Sequence, residues 1–128
     1  MKKTKDINMC LFCKIVEKEI PANVELESEE FLAFYDINPI APIHLLVIPK
    51  KHVDSFQEVE PETMAKMTAF IQKLAKKMGL DKDGYRLLTN IGENGGQEIK
   101  HLHFHLVGGT KLKWVHLSDD INKAKEAI

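Results

Sequence analysis

Apolar positions along the chain repeat at two spacings, one helical and one extended. Leu11, Phe12, Ile15 and Val16 share one helical face between Leu11 and Glu19, and Pro21 is expected to end that short helix. Three strand-like runs follow. Val24 to Glu27 alternates, Phe31 to Tyr35 is aromatic, and His44 to Ile48 is apolar. Between the last two, Ile37-Asn-Pro-Ile-Ala-Pro42 reads as a loop, because each proline removes a donor and restrains the residue before it. The clearest helix starts at Pro61, where Met64, Met67, Ile71, Leu74, Ala75 and Met78 make one apolar stripe. Glu60 and Glu62 at its start and Lys73, Lys76 and Lys77 near its end suit the helix dipole, and Gly79 is a stop. Two further strands, Tyr85 to Ile91 and His101 to Val107, flank a glycine-rich connection. The pattern predicts an α+β domain: an antiparallel sheet with a short N-terminal helix and one long central helix.

Composition narrows the class. The chain has 128 residues, with 18 Lys and Arg against 19 Asp and Glu, six His and a formal net charge of −1. That is enough for one domain with its own core, expected over residues 10–114, behind a polar leader (1–9) and ahead of a polar tail (115–128) with a weakly helical end. At 44% hydrophobic and 29% charged residues the composition is that of a globular protein, not a disordered one. No apolar run reaches the roughly 18 residues of a membrane span. The basic start is not followed by an apolar signal core, and balanced charge argues against a grip on nucleic acid. The expectation is a soluble cytoplasmic protein with neither nucleic acid nor membrane as partner.

The chemistry concentrates in His101-Leu-His-Phe-His-Leu-Val107. In a strand, His101, His103 and His105 share one face and Leu102, Phe104 and Leu106 the other, so the apolar side can pack on the long helix while the imidazoles open to a cleft. Such a row suits a satisfied polar sheet face, a metal site, or acid–base and nucleophilic chemistry near neutral pH. Just before it, Gly92-Glu-Asn-Gly-Gly-Gln-Glu98 lets backbone N–H groups approach an anion, which favours phosphoryl or nucleotidyl transfer. Cys10 and Cys13, the only cysteines, are spaced C-x-x-C, which fits a redox pair, half of a zinc site, or two buried thiols.

These residues meet a known pattern. His101-Leu-His-Phe-His-Leu resembles the signature of the histidine triad (HIT) family, in which histidines alternate with apolar residues. The likeness runs from about Cys10 to Trp114. It takes in Lys14-Ile, Glu19-Ile-Pro21, Phe34-Tyr-Asp36-Ile-Asn-Pro39 and His44-Leu-Leu-Val-Ile-Pro-Lys-Lys-His52. It continues through Asn90, Gly95-Gly-Gln97 and Gly108-Gly109 to Trp114, a tryptophan placed as in the Hint (nucleoside phosphoramidase) branch. The resemblance implies a HIT-like fold and a metal-free reaction through a nucleotidyl-histidine intermediate. His103 matches the nucleophile, His105 the residue beside phosphate and leaving group, and His44 a supporting histidine. Leu11, Phe12, Ile15 and Phe34 match an apolar slot for a purine base, with Asp36 on the ribose and Ile37 beside it. Asn90, Gly96, Gln97 and the backbone of Glu98 match phosphate-side contacts. Glu98 departs from a serine found in part of that branch, so its N–H, not its carboxylate, is expected to face the ligand. Some relatives join C-x-x-C to two histidines around a structural zinc, and Cys10, Cys13, His52 and His101 match that set. The branch also implies a homodimer in which Trp114 reaches toward the partner's site. Dinucleoside polyphosphate hydrolysis, a zinc hydrolase with its metal on the triad, and nucleotide-binding regulation without turnover are the rival activities. His116 is expected to be an exposed bystander.

Overall fold

A computed structural model describes residues 10–120 and Asn122; the leader at 1–9 and most of the tail's expected helical end lie outside the described residues. In chain order the elements are α1 (Leu11–Val16), β1 (Val24–Glu27), β2 (Phe31–Tyr35), β3 (Ile43–Pro49), α2 (Pro61–Lys77), α3 (Leu80–Asp83), β4 (Arg86–Leu88) and β5 (Phe104–Gly108). The strands form one five-stranded sheet in the order β1-β2-β3-β5-β4. Every pairing is antiparallel, which gives the α+β architecture.

Two-residue alternation builds both faces of this sheet. Phe31 and Ala33 of β2, Leu45 and Val47 of β3, and Phe104 and Leu106 of β5 share a core with Leu102 and with Met67, Phe70, Ile71, Leu74 and Ala75 of α2. The alternate residues Leu32, Phe34, Leu46 and Ile48 pack on the other side with Cys10, Phe12 and Cys13 around α1. His44 precedes Leu46 by two residues and His105 pairs with Leu46, so both imidazoles lie on the α1 side.

Beyond one-residue extensions at both ends of β3 and at the end of β5, four elements differ from the sequence pattern. Helix α1 ends at Val16, before Pro21 is reached. Lys18 takes a left-handed φ of 65°, with its N–H on the Ile15 carbonyl and the Glu19 N–H on that of Lys14. That is the turn glycine usually makes at a helix end, here made by lysine, so the sequence carries no stop signal. Strand β4 is shorter than Tyr85 to Ile91, and α3 was not anticipated. Strand β5 starts at Phe104, so His101 and His103 stand ahead of the strand instead of in it. Their stretch stays extended because other partners hold its backbone: the Leu102 N–H donates to the Val53 carbonyl at 2.7 Å.

Candidate active site

Each triad ring has one nitrogen committed to a different partner. The His103 Nδ1–H donates to the His101 carbonyl at 2.7 Å. In the neutral ring this leaves the lone pair on Nε2. That nitrogen has no protein partner among the described residues. Since no buried side-chain nitrogen or oxygen among the described residues is left unpaired, it reaches solvent although His103 is only 7% exposed. The Thr89 hydroxyl donates to the His103 carbonyl at 2.7 Å, continuing past the last β4–β5 pair with a side chain.

His44 and His105 form a second, directional pair. The Ile40 N–H donates to His44 Nδ1 at 3.3 Å, so the His44 proton sits on Nε2. That Nε2–H points at His105 Nδ1, 2.8 Å away, with Asp36 Oδ2 at 3.5 Å beside it. His105 therefore carries its proton on Nε2, the nitrogen left for a ligand. Burial, then the neighbouring His103 and His44, holds His105 down to about 4; burial also lowers His44, against the pull of Asp36. Both rings are neutral at pH 7.

The residues matched to a nucleotide site are distributed unevenly. Phe12 and Phe34 are buried edge to face with ring centroids 5.6 Å apart, and Phe12 lies 5.0 Å from the His103 ring. Ile15 is half-buried beside them, whereas Leu11 is 42% exposed and Ile37 is 91% exposed. Asp36 Oδ1 accepts the Asn38 N–H at 2.8 Å. Asn90 donates to the Gly95 carbonyl, and a Cβ on Gly95 would collide with the Ile91 carbonyl, so this turn requires glycine. Gln97 is spent on structure: its amide donates to the carbonyls of Asp54 and Ile99 and accepts the Gly92 N–H. Glu98 is exposed.

The histidine row does not open to a cleft along its whole length: His101 is fully buried, because its ring is turned into a cluster with Cys10, Cys13 and His52. His101 Nδ1 lies 3.2 Å from Cys10 Sγ and 3.5 Å from Cys13 Sγ, and His52 Nδ1 lies 3.3 Å from Cys13 Sγ. Tetrahedral zinc with ordinary bond lengths has S–N edges of about 3.6 Å. The far nitrogens are also placed for it. His101 Nε2–H donates to the Pro49 carbonyl at 2.8 Å and His52 Nε2–H to Asp54 Oδ1 at 2.9 Å, turning both Nδ1 lone pairs toward the thiols. The four residues fit zinc. Burial, reinforced by Cys10, pushes the Cys13 thiol up to about 12 in the metal-free chain, and a metal would have to displace that proton.

Asp36, His44 and His105 also bring ligand atoms within 4.8 Å of one another. Proton placement opposes a metal there. A metal on His44 Nε2 would force a proton onto Nδ1, straight at the Ile40 N–H that now donates to it. Sequence reasoning missed the groups that fix these tautomers: Thr89, Asp54, the Pro49 carbonyl and the Ile40 amide. Only Asp54, two residues after His52, carried a local signal.

Alternate histidines leading into a sheet strand beside a glycine-rich turn, with their proton positions set by backbone groups and a fourth histidine, make the arrangement of a histidine triad protein. The model of the HIT domain matches residues 17–112. An uncharacterized HIT-like protein of Helicobacter pylori is 52% identical over 103 residues, 80% of this chain and 99% of the relative. The crystal structure of a HIT family hydrolase from Legionella pneumophila superposes with a TM-score of 0.78 at 48% identity, covering 82% of this chain and 96% of that one. A histidine triad protein from Clostridium difficile gives 0.79 at 44% identity, covering 84% and 96%. The chain belongs to the HIT family and has the HIT-like fold.

Proposed function

We propose that the protein is a nucleotide hydrolase or transferase that forms a nucleotidyl-His103 intermediate. Its substrates are purine nucleoside phosphoramidates or related adenylates, in the manner of the Hint branch. One observation carries this reading: the His103 Nδ1–H is held by the His101 carbonyl, which leaves an unprotonated Nε2 open to solvent. That nitrogen attacks the α-phosphorus; the bond to the leaving group breaks as the P–N bond forms. Water then cleaves the P–N bond, releasing the nucleoside monophosphate and restoring the ring. His105 directs its Nε2–H at the phosphate and leaving group, and His44 keeps that proton on Nε2. The Phe12 and Phe34 rings, with Ile15, supply the base slot, Asp36 takes the ribose hydroxyls, and the Asn90–Glu98 turn receives the phosphate. That the relative from Legionella pneumophila is described as a hydrolase supports the reaction class.

Zinc held by Cys10, Cys13, His52 and His101 belongs to the same proposal as a structural ion that anchors the residue whose carbonyl holds His103. So do a cytoplasmic setting, where two thiols stay reduced, and a homodimer. Support for the dimer is the outer strand β4, with Tyr85 and Leu87 exposed and Arg86 stacked 5.4 Å from the exposed Trp114 ring.

The test is incubation with an adenosine phosphoramidate and, separately, a diadenosine polyphosphate, followed by mass spectrometry of the quenched protein. The expected result is AMP release from the phosphoramidate with adenylate on His103, and a loss of at least about a thousandfold in kcat for His103→Ala. Preferred turnover of the dinucleotide would move the substrate class to polyphosphates. Binding of AMP with no turnover of either would leave a regulatory nucleotide-binding protein.

A further inference from the structure

The Cys/His cluster is not sealed on all sides. Cys10, Cys13 and His101 are buried and His52 is half-buried, and of the four Cys10 and His52 stand in the wall of a cavity of about 510 Å³. Asp54, Glu98 and Lys100 line the same cavity. A structural zinc site is ordinarily closed. Here half of the donor set faces a space that could hold many waters, at about 30 Å³ for each.

The backbone segments that carry the cavity's two carboxylates are tied together. Gln97 donates to the Asp54 carbonyl at 2.6 Å and to the Ile99 carbonyl at 3.1 Å, linking the segment that carries Asp54 to the one that carries Glu98. Asp54 already touches the metal-side ring through His52 Nε2. On the side away from the cavity, the Pro49 carbonyl fixes the His101 ring at 2.8 Å.

We propose that the Cys10/Cys13/His52/His101 centre is an exchangeable zinc site, loaded and unloaded through this cavity in the folded protein, with Glu98 and Asp54 as the entry carboxylates. The inference rests on the zinc reading of the cluster. Two negative charges at the mouth raise the local concentration of a divalent cation. Cys10 and His52 release first and capture last, while Cys13 and His101 stay in place as the anchored pair. This gives Glu98 a role in metal entry that does not depend on contact with a nucleotide.

The experiment mixes zinc-loaded full-length protein with excess 4-(2-pyridylazo)resorcinol and follows the coloured zinc complex. The global unfolding rate is measured in the same buffer. The expected release rate rises in proportion to chelator concentration and exceeds the unfolding rate by at least about tenfold. Zinc rebinding slows by about threefold or more in Glu98→Lys and quickens in Lys100→Glu, with stoichiometry unchanged at one zinc per chain. A release rate independent of chelator and equal to the unfolding rate overturns the proposal, as does rebinding that ignores both charge changes. If no zinc binds, the zinc reading itself fails and this inference goes with it.

Discussion

Three neighbouring imidazoles hold their protons differently because each faces a different partner, two on the backbone and one a ring. His103 gives its Nδ1–H to a carbonyl, His44 receives an N–H at Nδ1, and His105 is set by His44. This order depends on His105 and His44 staying uncharged, which has a consequence for stability. The native chain holds His105 down to about 4 against an ordinary value of 6.5, so between those limits the unfolded chain binds more protons. The His105 contribution to stability is complete above pH 6.5, declines as the pH falls toward 4, and changes no further below it. The urea midpoint of the metal-free protein should fall as the pH is lowered through that range. His105→Asn should flatten part of the decline; an undiminished decline in that variant would show that His105 does not cause it. At this scale the sequence showed where the histidines fall and was silent about their proton positions. The alternation of His101, His103 and His105 is visible in the letters, whereas the Pro49 carbonyl and the Ile40 amide carry no side-chain signal.

At the scale of elements, periodicity located the long helix and the first two strands to the residue, because a buried face imposes a regular spacing. Met67, Ile71, Leu74 and Ala75 of α2 are buried as the stripe predicts, and Phe70 joins them. Leu74→Ala should therefore cost about 2–5 kcal/mol in chemical denaturation, and Lys73→Ala on the solvent side less than about 0.5 kcal/mol. Similar losses for both would mean that the stripe is not the packed face. The elements misjudged lack such a face or end by an unusual device. Helix α3 is four residues long, too short for any period, and α1 stops on a left-handed Lys18 where no glycine marks the turn. Strand β5 begins late because Leu102 donates to Val53, a residue nearly 50 positions earlier in the chain.

Across the whole molecule, one sheet carries two cores and two clusters of histidines. Helix α2 covers one face and α1 the other, so α1 brings the cysteines and the Phe12 ring to the triad. No helix among the described residues is long and apolar enough to cross a membrane. Because zinc would bind the folded chain and join α1 to β3 and the triad stretch, its addition should stabilise the fold. At a free concentration a hundredfold above its Kd the gain is about 2.7 kcal/mol, and Cys13→Ser should abolish it. Thermal unfolding with and without zinc measures this directly; an unchanged midpoint in the native sequence would remove the metal from the account.

The letters alone determined the α+β class and the family resemblance and singled out the histidine and cysteine positions, because burial periods and alternate histidines are local patterns. Only the tertiary structure decided that His101 turns inward to the thiols while His103 keeps an open nitrogen. It also decided that Gln97 braces a loop and that Glu98 lines a cavity beside the cysteines. These outcomes depend on backbone groups and side chains far apart in the chain, whose meeting is set by packing and by the need to satisfy every buried polar atom.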